Sequence, residues 1–301
     1  MWHFISDQIS QEIGEVFICE NAKKIHQQHN HNAYVVRSSQ KRFFVKICER
    51  SSPLTETVTP LSAEANGLNA IEDTSTITTP KLIRHGQFEE NQRYYEYLVL
   101  KFVAFESPTE QLWAQAGEQL AQMHKQSNES ALRAGDPRYG WTCDNFIGPT
   151  LQKNSQTNDW AEFFIQNRLV GLANQLTECT QLISPEVWQK ISEILRTHQP
   201  EPCLLHGDLW SGNLGFCRQQ VVVFDPAVWI GDREFDLAMA DLFGGFAKRF
   251  FAAYEDVWPL PEGYAQRRLV YQLSPILNHV LMFDRDYISQ LNLLLDKIIE
   301  A

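Results

Sequence analysis

Leu204-Leu205-His206-Gly207-Asp208-Leu209-Trp210-Ser211-Gly212-Asn213, followed shortly by Val221-Val222-Val223-Phe224-Asp225-Pro226-Ala227, is the stretch on which the fold turns. His206-x-Asp208-Leu209 with Asn213 five residues beyond the aspartate has the spacing of a phosphotransferase catalytic loop. In such loops the Asp accepts the proton of a substrate hydroxyl and the Asn binds a metal ion. Asp225 closes an apolar strand where a second metal carboxylate belongs. Phosphoryl transfer needs a base at the acceptor and hard oxygen ligands for Mg²⁺ at the phosphates, and a loop plus a strand end supply both from one side. Taken singly, Asp208 and Asn213 also suit an Asx turn; the strand ending in Asp225 is what favours the metal reading. His206 reads as a holder of the loop rather than a proton carrier.

Upstream, Arg42-Phe43-Phe44-Val45-Lys46-Ile47-Cys48 alternates so that Phe44, Lys46 and Cys48 share a face. A lysine in so apolar a strand needs a partner. Glu64, on the following helix, is the candidate, because a strand Lys paired to a helix Glu positions the α- and β-phosphates in kinase-type sites. From the strand alone, a surface lysine on an edge strand fits equally well. Between the first strands stands Gln27-Gln28-His29-Asn30-His31-Asn32-Ala33-Tyr34, with no glycine to let a backbone approach phosphate closely. Its two histidines read as a polar hairpin before they read as a metal pair.

Outward from these motifs the chain divides in two. Glu15–Glu20, Ala33–Arg37, Arg42–Cys48 and Tyr94–Val103 are strand-like, with one helix announced by the Thr59-Pro60 cap and the spacing of Leu61, Ala65, Leu68 and Ile71. From about residue 107 the pattern is helical. Ser107-Pro108-Thr109-Glu110 reads as a capping box before Leu112, Ala116, Leu120 and Met123, Ser184-Pro185 opens another helix, and Tyr264–Phe283 and Tyr287–Ile299 read as two more. The Gly/Pro/Asn/Thr-rich insert 135–158 is expected to be ordered loop rather than core. The apolar helix after Gly231-Asp232 should bury Asp236, which then braces the catalytic loop by accepting backbone N–H groups, and Arg233 should pair inside. The expected class is α+β: an antiparallel-sheet lobe over residues 1–103 that binds nucleotide, and a mainly helical lobe over 104–301 that carries catalysis and acceptor binding.

Composition limits the alternatives. At 301 residues with 44% hydrophobic and 21% charged residues the chain is neither disordered nor fibrous. Lys and Arg number 26 against 37 Asp and Glu, a net charge of −11, which repels nucleic acid and anionic lipid and leaves small cationic partners favoured. Six dispersed cysteines, with no Cys-x-x-Cys pair, argue against disulfides and zinc. The N-terminus lacks the pattern of a signal peptide, and the expected setting is reducing and cytoplasmic.

These motifs together resemble the fructosamine/ketosamine kinase family, relatives of the aminoglycoside and choline kinases within the protein-kinase-like fold. The resemblance spans nearly the whole chain. It rests on Phe43-Phe44-Val45-Lys46, Ala63-Glu64-Ala65 with Leu68, Gly140-Trp141, Asp144-Asn145-Phe146-Ile147-Gly148, Gln152, Asn154, Trp160, Phe163-Phe164 and Arg168-Leu169. It continues through the Trp210-Ser211 catalytic loop, Asp225-Pro226-Ala227, Gly231-Asp232-Arg233-Glu234 and Asp236-Leu237-Ala238-Met239. The resemblance implies ATP-dependent phosphorylation of the sugar 3-hydroxyl of a ketosamine, a deglycation repair chemistry that frees the amine. By carry-over Asp208 is the base, Asn213 and Asp225 hold Mg²⁺, Lys46 contacts phosphate with Glu64 behind it, and Asn32 belongs to the nucleotide loop. Leu98, Leu100 and Phe102 are the connector that hydrogen-bonds adenine, and Trp210, Asn145 and Trp141 are candidate acceptor contacts. The partner is a small ketosamine or a glycated protein lysine, with no nucleic acid or membrane, and the chain is expected to be a monomer or weak homodimer. An amino alcohol or aminoglycoside acceptor, or a kinase fold retained as a nucleotide-binding module, are the alternatives. The sequence departs from the family in Gln27-Gln28, where a Gly-Gly is usual, in His29, where some members carry a redox-active cysteine, and in Phe283-Asp284, where a Phe-Gly is common.

Overall fold

The computed structural model describes residues 1–27, 31–50, 52, 58–134, 138–176 and 183–301. A helix, α1 (Trp2–Ile13), precedes a five-stranded antiparallel sheet of β1 (Asn21–Gln27), β2 (Asn32–Arg37), β3 (Arg42–Arg50), β4 (Leu82–Glu90) and β5 (Arg93–Lys101), ordered β1-β2-β3-β5-β4. Strand alternation sends β3 residues to opposite faces. Phe43, Val45 and Ile47 meet Ile5 and Ile9 of α1, while Phe44 and Cys48 face α2 (Pro60–Asp73), whose Leu61, Ala65 and Leu68 pack on Leu98 and Leu100. The Thr59-Pro60 signal holds: Thr59 accepts the Ser62 amide and Ser62 answers to the Thr59 N–H, a complete capping box.

Three readings are corrected here. Glu15–Glu20 is not a strand, because its amides go elsewhere: Phe17 donates to Ser10 Oγ and Cys19 to Ser6 Oγ, tying the segment to α1. Leu98 and Leu100 are not in the connector. They lie inside β5, flanked by β3 at Lys46 and Phe44 and by β4 at His85 and Leu82, so their backbone groups belong to the ladder and the chain leaves it only after Lys101. The third helix, α3 (Glu110–Ala134), is capped by Thr109, whose Oγ1 accepts the Leu112 amide, rather than by Ser107.

Beyond the sheet, helices dominate. Short hairpins and helices follow in the order β6 (Asn145–Ile147), β7 (Thr150–Gln152), α4 (Trp160–Phe164), a π-helical turn at Ile165–Val170, α5 (Gly171–Ala173), α6 (Pro185–Arg196), β8 (Pro202–Leu205), β9 (Leu214–Cys217), β10 (Gln220–Val223) and β11 (Trp229–Asp232). The chain ends with α7 (Glu234–Leu242), α8 (Lys248–Val257), α9 (Tyr264–Phe283) and α10 (Ile288–Glu300). Helices α3 and α8 touch at Gly117, where a Cβ would stand 2.1 Å from the Phe250 carbonyl oxygen, so only glycine allows the approach. Trp160, Trp229, Phe235 and Tyr271 form the aromatic centre of the largest core cluster. The insert 135–158 is not merely loop: Asn145, Gln152 and Asn154 are buried. No helix among the described residues is long and apolar enough to cross a membrane.

Candidate active site

The catalytic-loop motif falls between β8 and β9, held on all sides before any ligand is considered. Asp236, fully buried on α7, accepts the His206 amide at 2.7 Å and the Gly207 amide at 2.9 Å, the bracing expected of it. Gly207 adopts φ +79°, and a Cβ there would lie 2.1 Å from the Ala227 carbonyl oxygen, so the loop can lie against the segment after Asp225. His206 uses both ring nitrogens on backbone: Nε2 donates to the Phe224 carbonyl at 3.1 Å and Nδ1 accepts the Asp208 amide at 3.3 Å. Burial lowers its pKa, which suits this neutral tautomer and the holding role read from sequence.

Lys46 is 2% exposed, and its Nζ donates to Glu64 Oε2 and to Asp225 Oδ1, each at 2.7 Å. Residues far apart in sequence thus converge on one ammonium. Burial alone would neutralise it; the two carboxylates outweigh that and raise its pKa, so Lys46 is charged. Burial likewise acts to raise Asp225, but the adjacent Lys46 wins and holds it ionised. Glu64, buried and left to share the lysine, is pushed up to about 7, and its Oε1 has no partner. Asp225 itself has φ +54°, a conformation costly for a residue with a side chain and sustained by its surroundings.

Asp208 sits beside this group. Asn213 Nδ2 donates to the Asp208 backbone oxygen at 2.9 Å and to Oδ2 at 3.0 Å, which leaves the Asn213 amide oxygen as the end free to ligate. Burial pushes the Asp208 carboxyl up to about 7, and the charge of Asp225 adds to it. Two carboxylates and an amide oxygen with a surplus of negative charge are the hard donor set that a divalent cation such as Mg²⁺ takes.

These groups line a cavity of about 640 Å³. His31, Lys46, Glu64, Asp208, Asn213 and Asp225 form its polar end. Its other wall comes from Phe146–Pro149 of the β6–β7 hairpin, from Trp210, and from Phe243, Asn278, His279, Met282 and Tyr287. The last five were missed by sequence reasoning. The available signal was Asn278-His279 within the otherwise apolar face of α9, where Asn278 is 4% exposed with an unpartnered Oδ1. His31, half-buried near Lys46, has its pKa lowered to about 4 by desolvation first and by the lysine second.

Not every candidate reaches the cavity. Trp210 does, 41% exposed. Asn145 does not: it is buried, donating to the Val228 carbonyl at 2.7 Å, and Trp141 is wedged between the two large core clusters. Asn32 pairs within the β2 ladders and does not line the cavity, though its buried Oδ1 has no partner among the described residues. Phe102 follows β5 with the Arg42 guanidinium 4.8 Å above its ring, and Leu98 and Leu100 are core. Gln28, His29 and Asn30 lie outside the described residues, as does Cys179; the remaining cysteines are free thiols.

A family profile for fructosamine kinase matches residues 1–301. The chain belongs to the fructosamine kinase family. A "probable ketoamine kinase" of Synechocystis is 35% identical over 292 residues, covering 96% of this chain and 94% of its own. Another so named, from Vibrio cholerae, is 33% identical and covers 99% of both. Among solved structures, one carrying the name fructosamine-3-kinase from Haemophilus somnus superposes with a TM-score of 0.86 at 27% identity, covering 99% of this chain and 97% of that one. The aminoglycoside phosphotransferase APH(4)-Ia, solved with ADP and hygromycin B, superposes at TM-score 0.64 and 11% identity over 98% of both chains. That likeness shows the protein-kinase-like fold, and membership of a kinase family makes the chain a phosphotransferase.

Proposed function

We propose that this family member transfers the γ-phosphoryl group of ATP to the sugar 3-hydroxyl of a ketosamine, a deglycation activity. The observation that carries the reading is the Lys46 ammonium shared at 2.7 Å between Glu64 and Asp225, with Asp208 and Asn213 on the same cavity wall. Lys46, held by Glu64, grips nucleotide phosphate oxygens. Asn213 and Asp225 hold Mg²⁺, which when bound neutralises charge on the transferring phosphoryl group. Asp208 orients the acceptor hydroxyl and takes its proton. A carboxyl near 7 in the free site is a serviceable base at neutral pH, and a cation beside it keeps it ionised.

The acceptor then lies against the other wall. Trp210 offers an aromatic face to a sugar ring, and the rest is mostly apolar with polar groups at Ser211, Asn278, His279 and Tyr287, which suits a ligand carrying few, well-placed polar groups. The ketoamine kinase names of the relatives support the acceptor class. The test incubates the protein with Mg-ATP and a panel of ketosamines, aminoglycosides and choline, with Asp208→Asn beside it, and reads phosphorylated product by mass. Transfer to ketosamines alone is expected. Transfer to choline but not ketosamines overturns the acceptor, and equal activity in Asp208→Asn overturns the role of that residue.

A further inference from the structure

Arg168, on the π-helical turn Ile165–Val170, is 2% exposed, and none of its hydrogen bonds described here goes to a carboxylate. Its Nη1 donates to the Lys153 carbonyl at 2.5 Å and its Nη2 to Asn154 Oδ1 at 2.6 Å, while the guanidinium lies 4.2 Å from the Trp229 ring centroid and 4.9 Å from that of Phe163. Burial lowers its pKa to about 9, and the nearby Asp144 carboxylate offsets this only in part. A buried charge of this kind is expensive, and stability alone does not call for one.

The bonds beyond it have a direction. A guanidinium only donates, so it fixes which end of Asn154 faces it. The Asn154 Nδ2 is thereby turned to Asn145 Oδ1 at 2.8 Å, and the same oxygen accepts Gln152 Nε2 at 2.8 Å. Asn145, its oxygen occupied twice, presents Nδ2 to the Val228 carbonyl at 2.7 Å, and Gln152 Nε2 also reaches the Ala227 carbonyl at 3.2 Å. The relay ends on two carbonyls that follow Asp225 by two and three residues. Its middle members, Asn145 and Gln152, are the paired ends of the β6–β7 hairpin, whose turn Phe146–Pro149 is cavity wall.

We propose that Arg168 is a positioning residue: acting through Asn154, Asn145 and Gln152, it locks the Asp225–Val228 segment and the Phe146–Pro149 wall into one unit, so that the metal carboxylate and the acceptor are aligned together. The inference rests on the proposed phosphoryl transfer and deepens it, giving a task to buried amides that touch no ligand. It also supplies a restraint that Asp225 needs at φ +54°.

The test uses the full chain with Arg168→Lys, which keeps the charge and loses the fork, and Gln152→Met, close in shape and unable to donate. Mn²⁺ binding in the presence of ADP is followed by electron paramagnetic resonance, ADP binding without metal by calorimetry, and folding by circular dichroism. Expected is about a 10-fold weaker Mn²⁺ affinity, a several-fold higher acceptor KM, and unchanged metal-free ADP binding. Variants that melt lower yet bind Mn²⁺ and acceptor as the parent does overturn the positioning role. If Arg168→Lys does not fold, Gln152→Met decides. If the parent phosphorylates no ketosamine, the acceptor assignment falls while the Mn²⁺ comparison still decides the role of Arg168.

Discussion

Two pairs of acids behave differently: Asp232 and Glu234 are buried, Asp208 and Asp225 half-buried. Asp232 has its Oδ2 taken by the Tyr271 hydroxyl at 2.6 Å and by His198 Nε2 at 2.7 Å, and its Oδ1 by the Glu234 amide at 3.0 Å. Glu234 is matched on both oxygens by Arg267, at 2.7 and 2.8 Å. His198, Asp232 and Glu234 could bring ligand atoms within 4.8 Å of one another, yet the bonds just named occupy them and none lines the cavity. Asp225, by contrast, has one lysine, itself divided with Glu64, and Asp208 one amide, and both line about 640 Å³ of space. Both regions take acids out of bulk water, one completely and one in part; a deficit of partners facing a cavity belongs to the second. The first is a closed structural network, and the second is the site proposed to take cation and substrate.

The largest effect expected from this contrast is in Asp208→Asn, which should lower kcat by about 10²- to 10⁴-fold without loss of folded protein by circular dichroism. Wild-type turnover in that variant would erase the distinction. Glu234→Gln should do the opposite, leaving Arg267 buried and under-partnered at about 3–5 kcal/mol in chemical denaturation, with kcat of the folded fraction near that of the parent.

Acid–base behaviour sharpens the contrast further. Asp208 has a folded pKa raised from 3.8 to about 7, so the folded state holds its proton more tightly than the unfolded chain. In the metal-free protein this group's stabilising contribution is present below the unfolded value and is lost as pH rises through about 7. Asp208→Asn should therefore raise the melting temperature at pH 8 relative to the parent, with the gain vanishing toward pH 4. Asp232 runs the other way. Although burial acts to raise it, His198 and Tyr271 hold it below the ordinary value, so its contribution is present at neutral pH and lost on acidification. Asp232→Asn should flatten the acid limb of the stability profile. The smallest change is expected in Trp210→Ala, which trims the acceptor wall: a several-fold rise in acceptor KM with ATP KM unchanged. A rise confined to ATP would move Trp210 to the nucleotide side.

Much of this site was legible because its chemistry is local in sequence. His206, Asp208 and Asn213 lie in one loop, Asp225 ends the next strand, and Lys46 stands out as a charge among Phe and Val. Even the Asp236 brace followed from an acid among apolar neighbours. Leu98 and Leu100 were misplaced because an apolar strand end and a connector read alike until the ladder partners are known. Asn145 was assigned to the acceptor because the family resemblance places the insert around it in the acceptor pocket. Its actual partners, Val228, Gln152 and Asn154, include a carbonyl 83 residues away. The α1 helix was not recognised because Trp2–Ile13 carries no side-chain cap at its N-terminus.

The sequence by itself determined the candidate residues for the proposed chemistry, the acids, the amide and the lysine in the order and spacing that phosphoryl transfer requires, together with the antiparallel-sheet and helical halves that carry them. Hydrophobic periodicity and caps are short-range signals, and they are written along the chain. Tertiary structure alone decided which carboxylates are satisfied. Asp208 and Asp232 are the same residue type in the same island of short strands, and only the arrival of Tyr271 and His198 at one, and of open space at the other, separates support from site. That is set by long-range packing, where desolvation and partner count, not spacing, fix the state of a carboxylate.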